Sequence, residues 1–333
     1  MSVQKDQLAG ISVGVVGLGL MGCSISTCLL IAGHTVVALA PIPSDMEHAE
    51  QRIRGHLEKS RQEGMIQGAA SEYMERLTIT ENYAALSGCR LVIECTIENL
   101  DIKRSVYARV EAVISGDALL ASNTSSIPIS ILQKQTTHPR RFFGLHWAEP
   151  SHTTRFLEII CGADSELELG EYLYELSHHW GKEPTLVRRD IRGFITNRLM
   201  YALYREGFYL VENGYATVED VDRACRNNAG YWMTLVGMFR WMDLTGVAAY
   251  HTVMKDLLPT LCNDTAVPRL IDDIVQAGGR GVSNARGFYS YTEQEAKLWE
   301  ETFQEFSYEI RDLALRYPAD VVKKKLRGEQ ENG

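Results

Sequence analysis

Two residues near the middle of the chain have the types and spacing of an acid–base pair. His146 lies in the apolar segment RFFGLHW and Glu158 in the segment RFLEII, and only a short polar connection separates the two segments. Both segments are typical of strands, and the short connection favours antiparallel neighbours at the edge of a sheet. A carboxylate beside an imidazole would fix its tautomer and raise its basicity, leaving the other ring nitrogen to take a substrate proton. Alcohol oxidation needs such a base, because the hydroxyl proton must leave as hydride is transferred.

Each of these residues also has a structural interpretation. A histidine in a strand is often only a hydrogen-bonded structural residue, and strand alternation could turn Glu158 towards solvent. Asn197 lies on a largely aromatic face of a predicted helix. The aromatic residues at helical spacing around it are Phe194, Tyr201, Tyr204 and Phe208. A buried amide on such a face needs partners, which could be backbone groups as well as substrate atoms.

A glycine motif near the start of the chain has the spacing of a nucleotide-binding turn. In GVVGLGLMG, Gly17, Gly19 and Gly22 form G-x-G-x-x-G between a predicted strand and a predicted helix. The first glycine permits the tight turn, the second lets the backbone approach a pyrophosphate, and the third lets helix and strand pack closely. The first amides of the helix, including those of Leu20 and Met21, would hold the anion. The alternative is a glycine-rich turn that serves packing alone.

The second predicted strand, GHTVVALAP, lacks the carboxylate that usually follows such a motif. An acid about twenty residues after the glycines would bind the adenosine ribose and repel a 2′-phosphate. Ala40 occupies that place, and no Arg or Lys follows until Arg52, so the cation expected for NADP is also missing. The predicted cofactor is NAD, with NADP left open.

The first half of the chain alternates short apolar strands with helices. The strand segments are ISVGVV, TVVAL, LTI, RLVIECTI, ALLASNTS, RFFGLHW, RFLEII and TLVRR. This order predicts βαβ units and an α/β fold, a Rossmann-type doubly wound, mainly parallel sheet. Ser44 and Glu47 have the spacing of a capping box at the start of the helix after the second strand. Only helical segments follow residue 190, so we predict a dinucleotide-binding domain over residues 1–190 and an all-helical C-terminal domain over residues 191–333.

Composition excludes several classes of protein. The net charge of −9 and the pI near 5.6 leave no basic stripe for a nucleic acid. Residues 11–43 are free of charged side chains, but their glycines favour strand, helix and strand over a membrane span. Seven cysteines without a CxxC pair predict free thiols in a reducing compartment, and no secretory signal opens the chain, so we expect a cytoplasmic protein. No metal site is predicted.

Several co-linear motifs together resemble those of the L-3-hydroxyacyl-CoA dehydrogenase family, and of 3-hydroxybutyryl-CoA dehydrogenases in particular. They are GVVGLGLMG, LVIECTIENLDIK, ASNTSS, LHWAEP with FLEII, RGFITNRL and RGFYSY, which span about residues 11–291. The resemblance implies an NAD-dependent enzyme of fatty acid metabolism. It also implies that the helical domain carries substrate contacts and joins two chains in a homodimer.

The resemblance also implies roles for single residues. His146 looks like the catalytic base and Glu158 its orienting partner. Ser125 and Asn197 look like the polar groups around the substrate's oxygen atoms, with Ser125 also near the cofactor. Glu98 and Lys103, in ENLDIK, look like cofactor contacts. From the residues alone, Glu98 and Lys103 would be an acid at an exposed helix start and a solvated lysine.

The chain departs from the family pattern at several positions. Glu149 stands where the family commonly has a cofactor-contacting Asn, and Arg192 replaces a usual Pro. The segment GYWMTLVGMF lacks a common proline-bearing pattern. His56 and Glu63 lie near the places of CoA-contacting Ser and Lys residues, and Ser283 near that of another expected Lys.

The predicted reaction is the interconversion of an L-3-hydroxyacyl-CoA, short-chain such as 3-hydroxybutyryl-CoA, with its 3-oxo form. One alternative is an NAD(P)-dependent dehydrogenase of a free 3-hydroxy acid resembling carnitine or gulonate, with Glu149 meeting a cationic group. A further alternative is a non-catalytic nucleotide-binding or structural relative.

Overall fold

A single eight-stranded sheet forms the centre of the first half of the chain. The computed structural model describes residues 10–327. The strands are β1 (Ser12–Val16), β2 (Thr35–Leu39), β3 (Leu77–Thr80), β4 (Leu91–Glu94), β5 (Leu119–Ser122), β6 (Phe142–Trp147), β7 (Leu157–Cys161) and β8 (Thr185–Val187). Their order is β3-β2-β1-β4-β5-β6-β7-β8, and every neighbouring pair is parallel except β6 and β7. The predicted α/β class with a mainly parallel sheet is confirmed.

Helices cover both faces of the sheet, as buried parallel strands require. They are α1 (Leu20–Ile31), α2 (Pro43–Gln62), α3 (Ala70–Met74), α4 (Leu100–Glu111), α5 (Ile129–Leu132) and α6 (Leu167–His179), with short 3-10 turns at Tyr83–Gly88, Gln133–Gln135 and Pro139–Arg141. The core on one face contains Ile25 of α1, Ile53 of α2 and Leu173 of α6. The core on the other contains Tyr107 of α4 and Leu132 of α5. The charge-free residues 11–43 divide into β1, α1 and β2, as predicted.

The strand order reverses between β1 and β4, and ligands of doubly wound sheets bind at such a point. The chain runs outwards from β1 to β2 and β3, then returns to the other side of β1 as β4. The glycine turn after β1 and the carboxyl ends of β4, β5 and β6 therefore share one edge of the sheet. This edge carries most of the predicted site residues.

The start of α2 differs from the prediction. The helix begins at Pro43 and follows Ile42, without a side-chain cap. Proline suits the first helical position, because its missing N–H would have no partner there. The capping box expected from Ser44 and Glu47 is therefore wrong, since both residues already lie inside the helix.

Apart from two isolated β-bridges that pair Arg286 with Gly281 and with Ser290, the second half consists mainly of helices and turns among its described residues. They are α7 (Thr196–Glu212), α8 (Val218–Ala224), a π-helical turn at Cys225–Ala229, α9 (Gly230–Met233), α10 (Met238–Thr245), α11 (Val247–Leu257), a 3-10 turn at Leu258–Thr260, α12 (Arg269–Gln276), a 3-10 turn at Val282–Asn284, α13 (Glu293–Arg316) and α14 (Val321–Leu326). The helical character predicted after residue 190 is confirmed. The chain divides into two compact units at Arg198, within α7, whereas the sequence placed the domain boundary at residue 190.

The described part of the chain holds no helix with the length and apolar character needed to cross a membrane. Between residues 10 and 327 no cluster of three His, Cys, Asp or Glu side chains is arranged to bind a metal ion. All seven cysteines are free thiols.

Candidate active site

His146 and Glu158 face each other across β6 and β7. The antiparallel register pairs them directly, and His146 Nδ1 lies 2.8 Å from Glu158 Oε2. His146 is 7% exposed and Glu158 is fully buried. The contact expected from the sequence is therefore present, and Glu158 does not face solvent.

The second oxygen of Glu158 is held by the start of α7. Glu158 Oε1 accepts hydrogen bonds from the backbone amides of Ile195 at 3.0 Å and Thr196 at 2.9 Å. The preceding Gly193 and Phe194 both have positive φ, 80° and 51°, and this turn directs the two amides at the carboxylate. A left-handed conformation at a bulky residue costs on the order of 1–3 kcal/mol. Strain at Phe194 therefore accompanies the positioning of Glu158.

These contacts keep Glu158 ionised. Burial alone would raise the pKa of Glu158, but the hydrogen bonds from His146 and from the amides of Thr196 and Ile195 outweigh it and the pKa is lowered. An ionised acceptor beside Nδ1 requires that nitrogen to carry a proton. Nε2 of neutral His146 is therefore left as a proton acceptor.

Nε2 of His146 points to Ser125, whose Oγ lies 3.1 Å away. The imidazole ring lies between Phe156 and Phe194, with ring centroids 5.5 Å away in each case. These aromatic walls and the bond to Glu158 limit rotation of the ring. The arrangement can take a proton from a hydroxyl group beside Ser125, or return one to a carbonyl oxygen.

Ser125 is itself fixed by two other predicted site residues. Its amide donates to Glu98 Oε1 at 2.8 Å, and Thr124 Oγ1 donates to the same oxygen at 2.7 Å. Asn197 Nδ2 donates to the Ser125 carbonyl at 3.0 Å. The structure thus brings together Ser125, His146, Glu98 and Asn197, and gives Glu98 and Asn197 a positioning role that their sequence pattern did not reveal.

A buried ion pair lies beneath this loop. Lys103 Nζ bonds both carboxylate oxygens of Glu94, at 2.9 and 3.0 Å, and both residues are fully buried. Glu94 also accepts from Tyr107 Oη at 3.0 Å and Ser122 Oγ at 2.7 Å. Sequence reasoning missed Glu94, Tyr107 and Ser122; a charged residue at the end of the apolar strand LVIE was the available signal.

The geometry does not favour the predicted direct contact between Lys103 and the cofactor. The amine has no exposed surface, and besides Glu94 it lies 3.3 Å from the Thr96 carbonyl and 3.6 Å from Glu98 Oε2. Lys103 therefore contacts the candidate site only indirectly, through Glu98, whose side chain is 38% exposed. In the structure Lys103 is a buried support for Glu98, and its contact with a cofactor stays a prediction.

The glycine turn has the shape that a pyrophosphate requires. Gly17 has a φ of 99°, and a Cβ on Gly22 would lie 1.8 Å from the Gly17 carbonyl oxygen, so both positions need glycine. A Cβ on Gly19 would meet no protein atom within 4 Å. Gly19 lies directly before α1, and its open side leaves space for a ligand there. No side chain caps the first amides of α1, which include those of exposed Leu20 and half-buried Met21. These residues fit the phosphates of NAD, with the anion at the helix N-terminus.

The surroundings of Ala40 give no sign of a 2′-phosphate site. Ala40 is 1% exposed at the end of β2. Arg52 Nη1 lies 3.5 Å from the Leu18 carbonyl and 3.8 Å from Cys23 Sγ, beneath the glycine turn.

Glu149 lies in a partly desolvated place. Desolvation raises the pKa of Glu149, and hydrogen bonds from Ser24 and the Ser151 amide and the charge of Arg52 oppose that rise. The Glu149 carboxyl group therefore lies beside Ser24 of α1.

His56 and Glu63, the two α2 residues nearest the predicted CoA contacts, both contact other residues of the first unit. His56 Nδ1 lies 3.3 Å from Thr27 Oγ1, and its ring stacks on His152 at 4.7 Å. Burial lowers the pKa of His56 to about 4 and that of His152 to about 3. Glu63 pairs with Lys59 at 2.6 Å. Neither position offers a neutral hydroxyl or an amine to a CoA group.

Comparison with known proteins agrees with this geometry. Residues 12–191 match the sequence model of the 3-hydroxyacyl-CoA dehydrogenase NAD-binding domain, and residues 193–291 match that of the C-terminal domain of the same enzymes. Together the two matches cover most of the chain.

Curated relatives include enzymes with different substrates. A 5-formyl-3-hydroxy-2-methylpyridine 4-carboxylate 5-dehydrogenase of Mesorhizobium japonicum is 30% identical over 287 residues, which are 86% of this chain and 92% of that protein. A 3-hydroxybutyryl-CoA dehydrogenase of Bradyrhizobium diazoefficiens is 30% identical over 281 residues, 84% of this chain and 94% of that protein.

A solved structure of a 5-formyl-3-hydroxy-2-methylpyridine 4-carboxylic acid 5-dehydrogenase, described as an NAD+-dependent dismutase, matches with a TM-score of 0.83 at 28% identity, covering 96% of this chain and all of that one. The two domain matches, the curated relatives and the NAD-binding geometry agree. The chain therefore belongs to the 3-hydroxyacyl-CoA dehydrogenase family of NAD-dependent oxidoreductases.

Proposed function

We propose that this protein interconverts a secondary hydroxyl group and a carbonyl group, with His146 as the acid–base residue. The observation that carries the proposal is the chain of contacts from Glu158 through His146 to Ser125, at 2.8 and 3.1 Å. It leaves His146 Nε2, beside Ser125 Oγ, as the nitrogen that exchanges a proton at the edge of the sheet where the glycine turn also lies.

Each residue of this hydrogen-bonded series has a defined role when the hydroxyl group is oxidised. Ser125 Oγ binds the substrate oxygen beside Nε2, and Asn197 holds the Ser125 backbone in place. His146 Nε2 takes the hydroxyl proton as the carbon–hydrogen bond breaks, and Glu158 stabilises the imidazolium that results. The glycine turn and the first amides of α1 would hold NAD, which would supply the hydride acceptor for that carbon. In reduction, the imidazolium returns its proton to the carbonyl oxygen.

The first substrate candidate is a short-chain L-3-hydroxyacyl-CoA such as 3-hydroxybutyryl-CoA. Support comes from the family match over both domains and from the Bradyrhizobium relative, which acts on that class by its name.

A free 3-hydroxy acid without CoA is the second candidate. The Mesorhizobium relative is named for a pyridine carboxylate, and the solved dehydrogenase of that kind covers nearly the whole chain. The internal contacts of His56 and Glu63 also favour this class, because they leave α2 without the expected CoA-binding groups.

A spectrophotometric scan separates the two candidates. NADH oxidation is followed with acetoacetyl-CoA, with acetoacetate and with a panel of other free oxo acids, each against NADPH as a parallel arm. Turnover of acetoacetyl-CoA alone supports the thioester candidate; turnover of free acids alone overturns it. Binding of NADH without turnover of any compound would overturn the enzymatic proposal itself.

We further propose that the protein acts as a homodimer in the cytoplasm. Of the described residues from 199 to 327, only Ala296 and Tyr308 are buried. A helical unit with so small an internal core gains stability by burying its apolar surface against a partner. The free cysteines support a reducing compartment.

A further inference from the structure

Arg192 lies on the turn that connects β8 with α7, within the first unit of the chain. The Phe194 amide donates to the Ile191 carbonyl at 3.0 Å, so the turn closes around Arg192. The Arg192 carbonyl accepts a hydrogen bond from Arg198 Nη1 at 3.4 Å. The next amides of the same turn bind Glu158. The backbone that carries Arg192 is therefore fixed with respect to the acid–base pair.

The guanidinium group of Arg192 reaches the loop that carries Ser125. Arg192 Nη1 lies 3.5 Å from the Ser126 carbonyl, and Asn197 Nδ2 donates to the Ser125 carbonyl at 3.0 Å. Two consecutive carbonyls of this loop therefore face residues 192–197. The Arg192 cation contacts the residue that directly follows Ser125, whose hydroxyl group lies 3.1 Å from His146 Nε2.

The charge of Arg192 remains available for an anion. Its side chain is exposed, and no carboxylate in the described part of the chain pairs with it, whereas Arg188 pairs with Glu171 at 3.0 Å. A guanidinium group has five N–H donors, and the long contact with the Ser126 carbonyl uses at most one of them. The remaining donors match the two oxygens of a carboxylate.

The surrounding segment is positively charged. Residues 188–198 contain four arginines and one aspartate, although the net charge of the whole chain is −9. A local positive field of this kind attracts anions from solution.

We propose that Arg192 binds the carboxylate of a free 3-hydroxy or 3-oxo acid and thereby selects such acids over CoA thioesters. The inference rests on the function proposed above and favours the second of its two substrate candidates. When the hydroxyl oxygen of a 3-hydroxy acid lies between Ser125 Oγ and His146 Nε2, ordinary bond lengths place its carboxylate oxygens about 3–5 Å away. The carboxylate then lies beside the loop that Arg192 contacts. A thioester at the same place has no charge to pair with.

A purely structural role for Arg192 would be to support the loop through the Ser126 carbonyl. The two roles differ for a neutral substrate, because structural support acts equally on an acid and on its ester, whereas a carboxylate site acts on the acid alone. The carboxylate keeps its charge throughout the reaction, so its pairing with Arg192 is the same in the ground state and the transition state. Loss of Arg192 should therefore raise KM for the acid more than it lowers kcat.

The test compares the free oxo acid of highest kcat/KM in the scan, beginning with acetoacetate, with its neutral methyl ester. Arg192→Gln should lower kcat/KM for the acid by on the order of 10- to 100-fold, because hydrogen bonds to a charged group contribute about that much. The value for the ester should change by less than about threefold. Arg192→Lys should keep part of the preference for the acid, because it keeps the charge.

Arg188→Gln is the matched control. It removes the same charge four residues earlier, from an arginine that pairs with Glu171 instead of contacting the Ser125 loop. It should leave kcat/KM for the acid and for the ester within about twofold of wild type. An unchanged NADH affinity and unfolding temperature show that each variant is folded.

The outcomes separate the role of Arg192 from the reaction itself. Equal losses for acid and ester in Arg192→Gln, or no loss for either, would overturn the carboxylate site. Turnover of acetoacetyl-CoA without turnover of any free acid would also overturn it, while leaving His146 as the proposed base. NADH binding without turnover of any compound would overturn the function proposed above, and the carboxylate site with it.

Discussion

Replacement of Glu158 by Gln tests the acid–base assignment most directly. Glutamine keeps the shape of the side chain but must satisfy the same neighbours. The amides of Ile195 and Thr196 both donate to one oxygen, so the glutamine oxygen must stay there. Its NH2 group then faces His146 Nδ1, and only an unprotonated Nδ1 accepts that bond. The tautomer reverses, and Nε2 carries the proton it should accept.

The expected loss follows from this reversal. A positioned general base contributes about 100- to 10,000-fold, and an imidazole held in the wrong tautomer loses catalysis at the upper end of that range, on the order of 10,000-fold. We therefore expect kcat of Glu158→Gln to fall by on the order of 100- to 10,000-fold. NADH affinity should not change, because the glycine turn is not altered.

The assay is the initial rate of NADH formation or consumption with the substrate found in the scan, from pH 5 to 10. Glu171→Gln is the matched control, since Glu171 is a surface carboxylate paired with Arg188 at 3.0 Å in the same unit. A kcat of Glu158→Gln equal to that of the control across this pH range would refute the assignment of His146 as the base.

Three further predictions concern cofactor binding, stability and pH. Gly19→Ala should leave the unfolding temperature unchanged, because the new methyl group meets no protein atom, but should weaken NADH binding at least about tenfold, because that group occupies the phosphate approach. Gly22→Ala should also destabilise the fold. Equal NADH titration curves for wild type and Gly19→Ala would contradict this prediction. Glu94→Gln should lower the free energy of unfolding by about 3–5 kcal/mol, because it leaves the Lys103 amine buried without its counter-charge. Urea unfolding measures this value. A loss of stability smaller than that of a variant at an exposed ion pair would count against the prediction. Burial holds the pKa of His152 at about 3, so below pH 6.5 the unfolded chain binds more protons than the folded one. The free energy of unfolding should therefore fall by on the order of 3 kcal/mol as the pH drops from 6.5 towards 4. The slope of this free energy against pH should shrink in His152→Gln, and an identical slope would exclude His152 as its source.

Local sequence patterns predicted the elements around the site well. The strand, glycine turn and helix of residues 11–32 follow from β-branched alternation and from glycines that only a turn explains. The contact of His146 with Glu158 was predictable because a short connection between two strands forces them to be antiparallel neighbours. The start of α2 was not, because a proline at the first helical position suits that place as well as a side-chain cap does.

The role of Lys103 shows where local patterns end. From its position early in a helix, it could be solvated, in contact with a cofactor, or buried. What places it inside is Glu94 at the end of β4, nine residues earlier in the chain and adjacent only after the helix folds onto the sheet. Glu98 and Asn197 likewise gain their positioning roles from contacts with residues 26 and 72 positions away.

The sequence by itself determined the α/β class, the nucleotide turn, the helical second half and the residue types able to exchange a proton, because these depend on short-range periodicity and on the special backbone freedom of glycine. Only the tertiary structure decided which polar groups meet: the amides of Ile195 and Thr196 on Glu158, Glu98 on Ser125, and Glu94 on Lys103. Such pairings depend on strand order, register and the direction in which a turn aims its amides. No local pattern encodes them.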